Sequence, residues 1–314
     1  MLDSVDVSLL AVLQEDGRAS YQTLADRVGL SRTAVRSRVH RLLESGIVTI
    51  VGAVHPAVCG LDADAWLLVR AQGDPVLAAR ALSARTAVYA SQVTTGNHDV
   101  VARIRARDDA ALVAEVDEIR DEERVQAVSV FRTVTTVRDT QAIAALYEPC
   151  PLDPVDWELL ALLQRDVRGS FVRLSQAVGL SRAATRTRVS ALLQSGIIRV
   201  VAVADPRTMG QAVSAGFGLT ITAGARQTTA RVAMVPGVRA LARGWGPYDV
   251  LGEITASSPP VLATSLSEIG AIAGVAACTS WSVLEVVATP APVDVSAERQ
   301  VITTVPDPRA QTVC

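Results

Sequence analysis

The sequence predicts an α+β chain built as a tandem repeat, each unit a winged-type helix-turn-helix followed by a ferredoxin-like β-α-β-β-α-β domain. Three observations predict it. First, the run Leu30–Val39 returns as Leu180–Val189, and the offset of 150 holds at Ser31/Ser181, Gly46/Gly196, Pro56/Pro206, Asp99/Asp249 and Ile119/Ile269, so the copies carry no net insertion. Second, Gly29-Leu30-Ser31 and Gly179-Leu180-Ser181 punctuate two helical patterns the way a helix-turn-helix does. Third, the residues after each such motif alternate between period-two and period-3.6 apolar patterns in a strand-helix-strand-strand-helix-strand order.

Each element has a local reason. Asp3 precedes the apolar positions Val5, Leu9, Leu10 and Leu13, and Asp6 adds a second acceptor beside the free N–H groups; Asp153, Asp156, Leu159, Leu160 and Leu163 repeat the pattern. Gly17 and Arg18 end this first helix, whereas the second copy carries Val167 there and leaves the turn to Gly169. Ser20 and Ser170 are placed to cap a short second helix, buried through Leu24 and Val28 or Leu174 and Val178. Glycine then ends that helix, leucine plugs the core and serine caps the third, which buries Val35, Val39 and Leu42, or Thr185, Val189 and Leu192. After Ser45-Gly46-Ile47 and Ser195-Gly196-Ile197, the β-rich runs Val48–Val54 and Ile198–Val203 lead out of the unit to His55-Pro56 and Asp205-Pro206.

The ferredoxin-like pattern reads as Trp66–Ala71, Pro75–Ala84, Val88–Thr94, Val100–Ala106, Asp108–Glu122 and Val125–Val137. Its copy reads as Val213–Thr222, Ala225–Met234, Val238–Arg243, Val250–Thr255, Pro259–Ile269 and Val275–Val287. Predicted boundaries are 1–60 and 149–210 for the helix-turn-helix domains, 61–148 and 211–288 for the ferredoxin-like domains, and a mobile, proline-bearing tail at 289–314.

Composition excludes several classes of function. With 314 residues and 49% apolar side chains the chain can build real cores. Its longest weakly polar segments, such as Val213–Gly224 and Ile269–Trp281, fall short of the roughly 18 residues a membrane span needs, and no basic stretch leads into an apolar one, so a cytoplasmic protein is expected. Cys59, Cys150, Cys278 and Cys314 form no C-x-x-C pair and make no ligand spacing with His40, His55 and His98; neither a metal nor another cofactor is expected. Net charge is −2, so the chain as a whole is not basic, and all 30 of its basic residues are arginine, so only their clustering carries information.

That clustering falls on the third helices. From Ser31 to Leu43 stand Arg32, Arg36, Arg38 and Arg41 with no acid; from Ser181 to Leu193 stand Arg182, Arg186 and Arg188, again with none. An arginine early on a recognition helix can grip the O6 and N7 of guanine, and Arg32, Arg36, Arg182 and Arg186 are the candidates, flanked by Thr33 and Ala183. Arg38 and Arg188 lie nearer the buried face, suiting a phosphate contact or an ion pair inside the domain. Ser31, Ser37, Ser181 and Thr187 suit phosphate contacts that fix register.

A second candidate site is the turn Thr94-Thr95-Gly96-Asn97-His98-Asp99, with its copy Arg243-Gly244-Trp245-Gly246-Pro247-Tyr248-Asp249. Glycine permits a tight backbone there, and an aspartate beside free N–H groups suits a ligand carrying both an ammonium and a carboxylate; an ordinary side-chain-capped hairpin is the alternative.

Taken together, Leu2-Asp3-x-x-Asp6, Gly29-Leu30-Ser31, Arg38-Val39-x-x-Leu42, Gly46-Ile47, His55-Pro56 with Gly60, and the Gly96-to-Asp99 turn resemble the leucine-responsive and asparagine-regulator (Lrp/AsnC, feast/famine) family over about residues 2–137 and 152–287. Family members carry one such unit per chain, so this chain resembles two fused in line. The resemblance implies a transcription regulator, not an enzyme, that binds double-stranded DNA. It implies a ferredoxin-like, RAM-type domain that oligomerises and takes a small effector, often an amino acid, near the glycine turn: Thr94, Thr95, Gly96, Asn97 and Asp99, with Gly246 and Asp249 in the copy. Thr133 and Thr135 would add hydroxyls, whereas their counterparts Val283 and Glu285 break the pattern and Pro247 removes a donor, so one competent type of pocket is expected. If the two halves pair within one chain, the assembly is a homo-oligomer of pseudo-dimeric chains. Differences such as Thr33/Ala183 and Ser37/Thr187 then predict unlike half-sites, spaced by roughly 34 Å or a multiple of it. Siroheme decarboxylases share this tandem scaffold, but their histidine- and aromatic-rich segments have no match here; a partner module that has lost DNA binding is the third reading.

Overall fold

The computed structural model describes residues 2–15, 17–139, 150–167, 169–204, 213–289 and 293–295, and within these the chain forms two compact units. The expected α+β tandem architecture is present. One unit gathers Ser8–Gly60, Leu146–Val203 and the end of the chain from Pro292, and therefore both helix-turn-helix copies. The other gathers Leu61–Ala145 and Ala204–Ala291, both ferredoxin-like halves, with Met1–Val7.

In the first unit, α1 (Ser4–Glu15), which belongs to it from Ser8 on, α2 (Tyr21–Val28) and α3 (Arg32–Glu44) are followed by β1 (Val48–Val54). Residue 3 carries the cap of α1: Asp3 Oδ1 accepts from Asp6 N at 2.8 Å, and Asp6 Oδ2 accepts from Asp3 N at 3.3 Å. Gly29 sits at φ 69°, a left-handed conformation that costs a side-chain-bearing residue, and Ser31 accepts from Ala34 N at 3.2 Å to open α3. The copy repeats this with α6 (Pro154–Arg165), α7 (Phe171–Ala177), α8 (Arg182–Gln194) and β6 (Ile198–Ala204), where Asp153 and Asp156 form a complete capping box. Each three-helix bundle closes on fully buried leucines and valines, among them Leu9, Leu13, Val35 and Val39 and, in the copy, Leu159, Leu163 and Val189.

What joins the copies is a two-stranded sheet of β1 and β6. Gly17 N donates to Val200 O at 2.8 Å and His55 N to Ile197 O at 2.8 Å. Gly52 lets β1 lie against α6, since a Cβ there would stand 2.7 Å from Leu163 O. The strand expected to lead out of each helix-turn-helix thus pairs with its own repeat. Asp205-Pro206 lie outside the described residues, as does most of the 289–314 tail. Of that tail, Val293 and Val295 are tied to Gln164, whose Nε2 donates to Val293 O at 2.6 Å and whose Oε1 accepts from Val295 N at 3.0 Å; Val295 is buried, so this stretch departs from the expected mobile tail.

The second unit contains β2 (Ala63–Ala71), α4 (Pro75–Ser83), β3 (Val88–Thr94), β4 (Val100–Ala106), α5 (Asp109–Arg120) and β5 (Val125–Asp139). Its repeat is β7 (Val213–Ile221), α9 (Ala225–Ala233), β8 (Val238–Trp245), β9 (Val250–Ala256), α10 (Pro259–Ala271) and β10 (Val275–Ala288). Each half is ferredoxin-like, and together they close an antiparallel barrel in the order β10-β3-β4-β2-β5-β8-β9-β7. Two seams close it, each pairing the last strand of one half with the second strand of the other: Thr133 opposite Gly244 and Val283 opposite Thr94. Full closure leaves no sheet edge exposed.

Side chains alternate across this barrel. Ala65, Leu67, Val69, Ala102 and Ile104 pack under α4 and α5, and Phe217, Leu219, Leu241 and Ile254 pack under α9 and α10. Trp66, Leu68, Val101, Phe131, Ala240, Ala242, Leu251 and Trp281, on the opposite strand faces, form a third core shared by the two halves of the barrel. Two boundaries differ from the sequence pattern. β2 begins at Ala63 because Ala63 and Asp64 pair with Ala106 and Arg105, with Ala63 buried in the same core as Ala65 and Leu67. β8 runs on to Trp245 because Arg132 of β5 pairs with it.

Candidate functional site

The third helices present their arginines outward. Arg32, Thr33, Arg36 and Ser37 on α3, and Arg182, Ala183, Arg186 and Thr187 on α8, are exposed, while the opposite faces are buried in their bundles. Among the described residues Arg32, Arg36, Arg182 and Arg186 have no side-chain partner, so each guanidinium is free to meet a ligand. Ser31 and Ser181 spend their acceptor on the cap and keep a hydroxyl hydrogen to donate. Thr187 donates back to Ala183 O at 3.1 Å, which turns its hydroxyl along the helix.

Arg188 resolves one ambiguity. Its Nη1 lies 2.8 Å from Asp153 and 2.8 Å from Asp156, so it ties α8 to the N-terminus of α6. The hydrogen bond that Arg188 donates to Asp156, then the one it donates to Asp153, raise its pKa further above the ordinary guanidinium value. The Asp153 carboxyl is held low, first by the backbone N–H of Asp156 and also by Arg188. Arg38 stands, partly buried, at the matching position of α3. Replacing Arg188 with alanine is expected to lower the melting temperature of the chain slightly while leaving the salt dependence of its DNA binding unchanged; a reduced salt slope would instead make Arg188 a phosphate contact.

The glycine turns take their shape from their aspartates. Asp99 Oδ2 accepts from Ala71 N at 2.9 Å and Asp249 Oδ2 accepts from Ile221 N at 2.7 Å, so in each copy one carboxylate oxygen stitches the turn to the end of the first strand of its half. Thr94 is buried and donates to His98 O at 2.8 Å, and Thr95 accepts from Ser282 N at 3.2 Å. Asn97 is exposed and offers its backbone carbonyl to Arg70 at 3.1 Å, and Gly96 takes φ 95°. The His98 ring meets Trp281 edge-on at 5.7 Å, and burial, with Arg70 nearby, pushes its pKa down against the pull of Asp99.

One cavity of about 300 Å³ opens beside the second turn. Thr135 from β5 of the first half lines it together with Arg243, Gly244 and Asp249 of the second, and Thr222 and Gly224-Ala225 supply its floor at the start of α9. Gly224 leaves that helix without a side-chain cap, whereas Asp74 caps the equivalent α4 by accepting from Val76 N at 2.8 Å. The structure therefore brings Thr135 and Asp249 together across the two halves. Thr94 to Asp99 lie on the other turn, Gly246 packs against β5 with a would-be Cβ 2.3 Å from Val130 O, and Thr133, buried on β5, has no partner for its hydroxyl among the described residues. Arg243, Thr222 and the open start of α9 went unmarked in the sequence pattern. The signal was the exchange of Asp74-Pro75 for Gly224-Ala225 between otherwise parallel copies.

Comparison with known proteins places this geometry. The AsnC-type helix-turn-helix domain matches twice, at residues 2–43 and 152–193. An uncharacterized HTH-type transcriptional regulator of Pyrococcus abyssi is 30% identical over 131 residues, 39% of this chain and 83% of its own length. The leucine-responsive regulatory protein of Rhizobium meliloti is 30% identical over 144 residues, 44% of this chain and 92% of its own. The chain belongs to the Lrp/AsnC family of transcriptional regulators. Each of these relatives aligns with less than half of it, as one family unit must against a chain holding two. Along its whole length the chain shares its fold with the crystal structure of the siroheme decarboxylase NirDL, with a TM-score of 0.65, 16% identity, and 96% of this chain and 99% of that one covered. Among the described residues, no helix of this Lrp/AsnC chain is long and apolar enough to cross a membrane.

Proposed function

We propose that this chain is a sequence-specific DNA-binding transcriptional regulator, working in the cytoplasm, whose two recognition helices read unlike half-sites of one operator. The observation that carries the reading is the pair of exposed arginine faces on α3 and α8, with no acid from Ser31 to Leu43 or from Ser181 to Leu193, held in a single unit by the β1–β6 sheet. Arg32, Arg36, Arg182 and Arg186 contact bases, and Ser31, Ser37, Ser181 and Thr187 contact phosphates, with Arg38 as a further positioning contact. Thr33 and Ala183 make the two faces different. The domains run 1–60, 61–148, 149–210 and 211–288, the first and third binding DNA.

The cavity between Thr135 and Asp249 supports an effector that is a free amino acid or a similar zwitterion. Arg243 and the uncapped start of α9 favour a carboxylate, Asp249 an ammonium, and Thr135 adds a hydroxyl. The outward apolar positions Val134, Leu284 and Val286, 68%, 60% and 47% exposed on β5 and β10, support association with further copies of this chain. Regulation is the function we infer, since the likeness to the siroheme decarboxylase is one of fold and the family is one of regulators.

Titrating the chain against duplex DNA at rising salt tests the reading. The expected result is an affinity that falls linearly on a log–log plot as phosphate contacts release counterions. A chain that retains no duplex at low salt refutes it.

A further inference from the structure

The two seams of the barrel put different chemistry at matching positions. In the β5–β8 seam Thr135 stands opposite Arg243; in the β10–β3 seam, at the offset of 150, Glu285 stands opposite Val93. The cavity of about 300 Å³ lies at the β5–β8 seam, where Thr135 borders it from one half and Arg243 and Asp249 from the other. Among the described residues neither the Arg243 guanidinium nor the Thr135 hydroxyl has a partner, so a cation and a donor stand unspent at its edge. Asp249 gives one carboxylate oxygen to Ile221 N and keeps the other.

At the β10–β3 seam every exchange runs against a carboxylate ligand. Glu285 takes the place of Thr135 and has no ion-pair partner among the described residues, and Val93 takes the place of Arg243 and is buried in the core under α4 and α5. Asp74 replaces Gly224 and turns its side chain to Val76 N, and Pro75 replaces Ala225, which removes a donor N–H from the start of the helix. Asp99 remains as the counterpart of Asp249. The cavity is therefore bordered by one cation and one anion, Arg243 and Asp249, whereas the matching positions of the other seam hold the anions Asp74, Asp99 and Glu285 and no cation.

We propose that the chain carries one effector site where its internal repeat suggests two. The β5–β8 seam takes the carboxylate of a free amino acid on Arg243 and its ammonium on Asp249, and the acid-lined β10–β3 seam repels the same carboxylate. This deepens the effector reading above and rests on it. Because Thr135 comes from one half and Arg243 from the other, the site exists once per chain and its occupant fastens one seam only.

Isothermal titration of the full chain with each of the common L-amino acids in turn tests this. The tightest binder is expected to saturate at one molecule per chain, and its carboxamide, which lacks the negative charge, is expected not to bind. Thr135→Glu and Arg243→Val each give the β5–β8 seam the residue that the other seam already accommodates, so the chain should keep its melting temperature. Each should nevertheless weaken binding by about tenfold or more, since a like charge is added or a charge-assisted contact is lost. Glu285→Thr should change neither affinity nor stoichiometry, because Asp74 and Val93 remain. Two molecules per chain, or binding that survives Arg243→Val and is lost in Glu285→Thr, overturns the single site and leaves the effector reading standing. Equal binding of acid and carboxamide overturns the role of Arg243. If no amino acid binds, the effector reading falls and this proposal falls with it.

Discussion

Replacing Arg36 with alanine is expected to weaken binding to the preferred operator by about 1–3 kcal/mol, roughly 5- to 150-fold, and to relax preference at one base position while leaving the others intact. Arg36 is exposed one turn into α3, with no side-chain partner among the described residues, so its loss leaves no buried group stranded and the fold should keep its melting temperature. Arg186→Ala is expected to act alike at a different position, in the other half-site, since α8 carries Ala183 and Thr187 where α3 carries Thr33 and Ser37. The two losses should add, the helices being separate elements of the unit. Anisotropy titrations against every single-base variant of the site check this. A loss spread evenly over all sequences, with a shallower salt slope, would turn the arginine into a phosphate contact.

Gly244→Ala is expected to cost about 2–3 kcal/mol of stability, a fall of roughly 4–12 °C in melting temperature for domains of this size. Gly244 sits opposite Thr133 in the seam between β5 and β8, and a Cβ there would lie 2.0 Å from Arg132 O and 2.8 Å from the Phe131 ring. Neither neighbour can retreat cheaply, one being the backbone of the paired strand and the other fully buried. The equivalent place in the other seam holds Thr94, so the requirement belongs to one seam only. Thermal unfolding followed by circular dichroism measures it, and an unchanged melting temperature would mean that β5 and β8 are not so closely paired.

Much of the fold was legible because each element announces itself locally. The apolar periods and the glycine and serine punctuation placed α3 and α8, and most strands fell within a residue or two of their observed ends. The closing of two ferredoxin-like halves into one barrel was not legible, because seam partners such as Thr133 and Gly244 are set by pairing across more than a hundred residues and leave no periodic trace. For the same reason Gly244 reads as part of a turn although it is a strand residue, and nothing in the pattern of the predicted strand Val213–Thr222 shows that Gly216 and Gly218 make room for aromatic rings. The arginines of the recognition helices could be found from charge alone. That Arg188 turns to Asp153 and Asp156 needed the packing of α6 on α8, and the meeting of Thr135 with Asp249 and Arg243 needed the barrel.

Selecting bound sequences from a random DNA pool tests the central claim most directly. Twin arginine faces on α3 and α8, alike in position and unlike in residues, predict an enriched site with two different half-sites whose centres are separated by about one helical turn or a multiple of it. Enrichment of a perfect palindrome, or of no sequence at all, would contradict it.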